Sequence, residues 1–384
     1  MLGVSTAAQA GSAVMIHGPA FLIPALHRDH GLTLAGAGLV AAAPIAGVMV
    51  ALVAWGAVVD RLGERFVLLA GLIATAIAGL VATRTTDPVP LGLALLAAGA
   101  AAASTSSASG RVVVGWFPPR QRGLAMGIRH MSQPAGVGLA AVTMAVLALD
   151  HGIATALWVP TAAALVSIGA VALTVVDPPR PERTVVTGAN PYRAEPRVLG
   201  YLSRIHLVSV LLVVPQFLVW TFALVWLVDE RSWHPGAAGT LVGLAQLTGV
   251  LARVAAGWVS DRAGSRMRPL RAVALTAGAV MALLALTDAL TSPLAVLLLV
   301  AATGITVADN GLAFTAVAER AGPFWSGRAL GAQNTAQYLA AAAVPPVAGL
   351  AITHLGYAAT FALAAALPLL AAPLVPVGEE HPLS

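Results

Sequence analysis

The chain has 384 residues, of which 58% are hydrophobic and only 10% charged, whereas a soluble domain carries roughly a quarter charged residues. That balance excludes a soluble globular protein, and the absence of cysteine excludes disulfides and thiolate metal sites. The formal net charge is +5 and every basic residue is arginine; because these arginines sort by loop, as described below, no nucleic-acid partner is expected.

A spanning helix needs about 20 apolar residues to cross a hydrocarbon core about 30 Å thick. Apolar runs between charged or Pro/Gly turns predict spans near 3–26, 33–58, 66–83, 90–116, 123–148 and 152–176, and again near 205–228, 236–259, 270–288, 292–317, 327–353 and 357–376. The first run contains Gln9, Ser12 and His17 and reads as a span rather than a cleaved leader. Residues 177–203 form the one long polar stretch and read as a linker on the membrane surface. The expected organisation is therefore a six-helix bundle over 1–176, a linker over 177–203 and a second six-helix bundle over 204–384. Twelve spans put both termini on one side. Fifteen of the 21 arginines fall on that side, against Arg28, Arg84 and Arg231 on the other and Arg111, Arg129 and Arg253 inside spans. Short-loop arginine marks the cytoplasmic face, so both termini are expected in the cytoplasm and the bilayer is expected to be a cell (inner or plasma) membrane.

The chain repeats itself. Gly56-Ala57-Val58-Val59-Asp60-Arg61-Leu62-Gly63-Glu64-Arg65 between the second and third spans returns as Gly257-Trp258-Val259-Ser260-Asp261-Arg262-Ala263-Gly264-Ser265-Arg266, 201 residues later. A second repeat aligns the segment from Arg122 to Gln133 with that from Ser326 to Gln337 at an offset of 204. The halves are thus one six-span unit in parallel orientation, an arrangement that puts a solute site near the midplane.

The pattern G-x-x-x-D-R-x-G-x-R in both turns, with the span count, the half repeat and the central linker, resembles the major facilitator superfamily over the whole chain. The segment from Gly110 to Gly127 is similar, more particularly, to its monocarboxylate, cyanate and nitrate-type branches. The fourth-span arginine motif of the drug and sugar branches is missing around Leu95 to Ala100, and Pro134-Ala135-Gly136-Val137-Gly138 stands where drug antiporters carry Gly-Pro-Gly-Gly. The resemblance implies an all-α membrane protein of twelve helices in two bundles that works by alternating access. It also implies that Asp60 meets the start of the eleventh span near Ser326 and Gly327, and that Asp261 meets the start of the fifth near Arg120. Asp60, Arg61, Arg65, Asp261, Arg262 and Arg266 are then gate residues, although the arginines serve topology in any case. Arg111 and Arg253 lie near the same ends and are read as gate residues too.

Ionisable groups inside spans are costly and mark function by default. Of 16 acidic residues only Asp309 lies deep, ten residues before Glu319, or about 15 Å of helix. It is either a protonatable coupling carboxyl or a structural partner of an arginine or hydroxyl. Arg129 stands about 10 Å inside the fifth span with Gln133 on its face, and the repeat mates Gln333 and Gln337 share a face of the eleventh. A guanidinium backed by amides suits an anion; the alternative is a buried arginine satisfying carbonyls or Asp309. His17, whose alternative is a packed, hydrogen-bonded histidine, and Gln216, Trp220, Asn334 and Tyr338 complete the candidate solute contacts. The expected function is a proton-coupled secondary transporter of a small organic or inorganic anion. Proton-driven efflux of a hydrophobic or cationic compound is the alternative. No enzyme motif occurs, no cofactor or metal is expected, and the expected partners are solute, protons and lipid, with the protein a monomer.

Overall fold

A computed structural model of the chain describes residues 1–32, 34–85, 87–178, 190–193 and 199–380. Its described residues are mostly helical, with no strand among them. The first span is α1 (Leu2–His17), a 3-10 stretch (Gly18–Leu22) and α2 (Ile23–His30). It was expected to be one helix, but Pro19 and Pro24 each lack a backbone N–H and break the ladder. The second to fourth spans are α3 (Leu34–Leu62), α4 (Glu64–Ala82) and α5 (Pro88–Trp116). The fifth is α6 (Pro119–His130) followed by α7 (Ser132–His151), interrupted at Met131, because the ring of Pro134 crowds the carbonyl four residues back. The sixth is α8 (Ile153–Thr174).

The second half runs α9 (Tyr201–Val225) into a π-helical turn (Trp226–Glu230), then α10 (Pro235–Ala263) and α11 (Met267–Ala289). The tenth span is split into α12 (Leu294–Ile305) and α13 (Asp309–Ala321). The last two spans form one continuous element, α14 (Ser326–Ala371), that bends at Gly356, whose φ of 80° is left-handed. Twelve transmembrane helices result, in two bundles of six.

Contacts divide the chain into two units. One comprises Met1–Trp116, Arg129–Gly188 and Ala321–Thr335; the other comprises Phe117–Ile128, Ala189–Arg320 and Ala336–Ser384. The first unit thus includes the opening turns of the eleventh span, and the second includes the opening turns of the fifth. Each has its own core: Met15, Leu22, Leu26, Leu91 and Leu95 in the first, and Trp226, Met281, Leu284, Leu299 and Phe361 in the second. Outward, Leu39, Val50 and Leu173 are more than three-quarters exposed, which suits acyl chains rather than water. Backbone polar groups are satisfied within the helices, as a bilayer demands. Before α9, Tyr192 shares a hydrogen bond with His206 Nε2 at 2.8 Å and stacks on its ring, and burial pushes the Tyr192 phenol up to about 12. Arg180, Arg183 and Arg197 of the expected basic face lie outside the described residues.

Candidate functional site

The two signature turns are built alike. In the first unit Asp60 lies in the last turn of α3 and its carboxylate accepts the backbone N–H groups of Gly327 at 2.9 Å and Arg328 at 3.0 Å. These are the first free donors of α14, where the helix dipole also favours an anion. In the second unit Asp261 lies in the last turn of α10 and accepts the N–H groups of Gly123 at 2.9 Å and Leu124 at 2.8 Å, in the first turns of α6. The leading glycine of each motif explains how the carboxylates reach. A Cβ on Gly56 would lie 2.3 Å from the Gly327 carbonyl oxygen, and one on Gly257 would lie 2.2 Å from that of Gly123. Only glycine on both sides lets the helix backbones cross this closely.

Around these contacts most of the charges are paired, and the central ones are buried. Arg111 bonds Asp60 at 2.7 Å and Glu64 at 2.6 Å, and all three are at most 4% exposed. Arg266 bonds Asp261 at 2.5 Å, Ser260 Oγ at 2.9 Å, Glu319 at 3.3 Å and the Pro119 carbonyl. Arg122 also reaches Glu319, at 3.4 Å. Arg65 donates its guanidinium to the Ala172 carbonyl at 2.8 Å. Arg61 is exposed, and Arg262 lies over the Trp258 ring at 4.0 Å. Glu64 and Glu319 were not singled out from the sequence, since each stands at an unassigned position of a turn or span end.

Deeper, each unit gathers polar side chains from the first, fourth and fifth helices of its half. In the first unit Arg129, 1% exposed, donates Nε to Ser109 Oγ at 2.8 Å and NH2 to the Ser106 carbonyl at 2.8 Å, with His130 Nε2 at 3.1 Å. Ser109 in turn donates to Gln9 Oε1 at 2.9 Å, and Gln133 meets His17 Nε2 at 3.4 Å. The buried Gln333 also belongs to this unit.

In the second unit Asn310 donates to Gln216 Oε1 at 3.1 Å and accepts from Gln337 Nε2 at 3.4 Å, which joins α9, α13 and α14. Gln333 and Gln337 therefore share a helix face but fall in different units. Asn334 turns back to the Leu330 carbonyl at 3.0 Å, and Tyr338 is half-buried. Asp309, 2% exposed, is the first residue of α13, so its carboxylate sits at a helix N-terminus inside the span rather than midway along a continuous helix. Broken helices of this kind carry the coupling and solute sites of many transporters. Gly304 and Asn310-Gly311 flank the break but lie inside α12 and α13, so they do not mark it in the sequence.

Arg253 stands ten residues before the end of α10, about 15 Å of helix, and is 3% exposed. Among the described residues its guanidinium makes no hydrogen bond or ion pair within 4.0 Å, and its Nε is buried without a partner. It lies 6.0 Å from the centre of the Trp220 ring, whose Nε1–H is likewise buried and unpartnered. Asp309 is near enough to act on Arg253 electrostatically. Trp220 also lines a narrow cavity with Gln246 and Thr303.

The sequence profile of the Major Facilitator Superfamily matches residues 4–345. An uncharacterised MFS-type transporter of Mycobacterium tuberculosis strain H37Rv, Rv2994, is 46% identical over 377 residues, covering 97% of this chain and 84% of the relative; its counterpart MT3072 from strain CDC 1551 is 45% identical over the same coverage. In three dimensions the chain is similar to FucP in its outward conformation, with a TM-score of 0.81, 14% identity and 99% of each chain covered. It is similar also to the human organic anion transporter MFSD10, with a TM-score of 0.73, 18% identity and 97% and 98% of the chains covered. With the twelve helices, the repeated turns and their glycine crossings in place, the chain belongs to the major facilitator superfamily of membrane transporters.

Proposed function

We propose that the protein is a secondary active transporter that moves a small organic or inorganic anion together with protons by alternating access. Arg253 carries this reading: a buried guanidinium with unbonded donors beside an indole N–H with no partner is a charged site waiting for an acceptor. A buried charge left unpaired costs several kcal/mol, so an anion that supplies the missing hydrogen bonds gains that much selectivity over a neutral analogue. Asp309 is the competing carboxylate. When it is ionised it offsets the charge of Arg253; when it is protonated it leaves Arg253 to the solute, so one proton accompanies each added negative charge. In the first unit, Arg129 with Gln133, Gln333 and His17 provides a second cationic and amide-rich surface. Gln216, Gln337, Asn334 and Tyr338 supply further polar contacts.

The arginine-rich end is cytoplasmic on this proposal, in a cell membrane, and the unit of transport is the monomer. Asp60, Arg61, Arg65, Arg111, Asp261, Arg262 and Arg266 form the gate there, because the two carboxylates hold the starts of the eleventh and fifth spans only while that end is closed. The alternative, proton-driven efflux of a hydrophobic or cationic compound, draws on the Phe217–Trp220 aromatic pair, 5.5 Å between centroids, a surface that suits a flat cation. Arg253 over the same indole repels one. The test uses proteoliposomes and whichever anion stabilises the purified protein. Asp309→Asn, which mimics the protonated carboxyl, should abolish accumulation driven by a pH gradient and keep solute exchange without one. Accumulation by the Asn variant under a proton gradient alone would remove Asp309 from coupling.

A further inference from the structure

Two acidic side chains that no motif singles out stand at equivalent places in the two halves. Asp177 follows the sixth span, and its Oδ1 accepts the backbone N–H of Arg65, in the first turn of α4, at 2.7 Å. Glu380 follows the twelfth span, and its carboxylate accepts the backbone N–H groups of Arg266 and Met267 at the start of α11, together with the Ser265 hydroxyl. The two acids are 203 residues apart, against 201 for Arg65 and Arg266. Each therefore closes the N-terminus of the third helix of its own half, where free N–H groups and the helix dipole favour an anion. A cation answers in the reverse direction. Arg65 caps the Ala172 carbonyl in the last turn of α8, and Arg204 caps that of Leu374 at 2.8 Å while bonding Glu379 at 3.0 Å.

These caps lie next to the signature carboxylates. Only Arg61, Leu62 and Gly63 separate Asp60 from the start of α4, and Gly63 has a left-handed φ of 102° with no room for a side chain, since its Cβ would meet Asp177 Oδ2 at 2.6 Å. In the second half one residue links both contacts: the backbone of Arg266 is held by Glu380 while its guanidinium is given to Asp261. We propose that Asp177 and Glu380 are positioning residues of the transport cycle. Each pins the signature turn of its half in the form that presents Asp60 or Asp261 to its partner N–H groups, and each lets go as the arginine-rich end opens. The proposal holds whichever solute is carried.

Because the chain has no cysteine, single introduced cysteines can report on each turn in proteoliposomes, with N-ethylmaleimide as the probe. Ser326→Cys, 3% exposed, adjoins Gly327; Ala125→Cys, 2% exposed, adjoins Leu124; Ala140→Cys, fully buried in α7, is a remote control. Asp177→Ala should speed labelling at Ser326→Cys, and Glu380→Ala should speed it at Ala125→Cys, by roughly two- to thirtyfold, the range expected for loss of a helix cap. Labelling at Ala140→Cys should not change. Asp177→Asn keeps an acceptor oxygen and should keep most of the protection. Should Glu380→Ala fail to fold, Ser265→Ala removes one of its bonds and should give a smaller rise at Ala125→Cys. Unchanged labelling at both turns, or an equal rise at Ala140→Cys, would reduce the two acids to ordinary stability caps and overturn the proposal.

Discussion

Gly56→Ala adds a single methyl group at the closest backbone crossing of the first unit. Its Cβ would lie 2.3 Å from the Gly327 carbonyl oxygen, where ordinary contact begins near 3.4 Å, so α3 and the start of α14 must part by about 1 Å to relieve the overlap. The Asp60 bonds to Gly327 and Arg328, 2.9 and 3.0 Å long, then stretch to about 4 Å, beyond hydrogen-bonding range. A hydrogen bond to a charged group contributes about 1.5–3 kcal/mol net. With water replacing part of the loss, the closed form should weaken by about 2–3 kcal/mol, or roughly 30- to 150-fold in its equilibrium. Asp60→Asn should act in the same direction, since the amide offers one acceptor oxygen where the carboxylate offered two. Maleimide labelling of Ser326→Cys, combined with each variant, reads the change directly, and thermal unfolding separates it from general damage. Labelling of the Gly56→Ala variant at the parent rate would refute the claim that the glycine crossing sets the Asp60 contact.

Further outcomes are expected elsewhere. Arg129→Lys keeps the charge but not the planar fork that reaches Ser109, Ser106 and His130, so solute-induced thermal stabilisation should fall nearly as far as in Arg129→Ala; full stabilisation of either variant would take Arg129 out of recognition. Asp288→Asn breaks the 2.6 Å pair with Arg231 and changes the acceptor for Trp226 Nε1, and breaking a buried pair from one side costs roughly 3–5 kcal/mol. Its melting temperature should fall clearly and recover in part when Arg231→Gln is added, whereas additive losses would mean that the two do not act as a pair.

Twelve spans and the repeat were legible because hydrocarbon imposes a length and a composition on every crossing, and the repeated G-x-x-x-D-R turns stood out as charge in an apolar chain. The partners expected for Asp60 and Asp261 followed from the resemblance, and the structure supplies the reason: glycine crossings bring a carboxylate onto free helix donors. The break before Asp309 was hidden because Thr306, Val307 and Ala308 are all tolerated in helices, and period and hydropathy do not register three residues of turn. Glu64 was passed over because a glutamate at a membrane boundary ordinarily faces water, and only the fold brings Arg111 onto it, 47 positions along the chain. Asp177 and Glu380 escaped notice because each pairs with a turn more than 100 residues away. Arg253 was read by its distance from Asp261, whereas its surroundings are set by α9 and α13, which a linear count does not see.

Anion recognition at Arg253 is tested most directly by thermal unfolding of the purified protein and of Arg253→Gln over one panel of carboxylates, inorganic anions and lipophilic cations. Gln is shorter but keeps an amide donor and removes the charge, so at least one anion should raise the melting temperature of the parent, the same anion should have no effect on Arg253→Gln, and the cations should stabilise neither. Stabilisation of the parent by lipophilic cations alone, or by an anion equally well with and without the Arg253 charge, would contradict it.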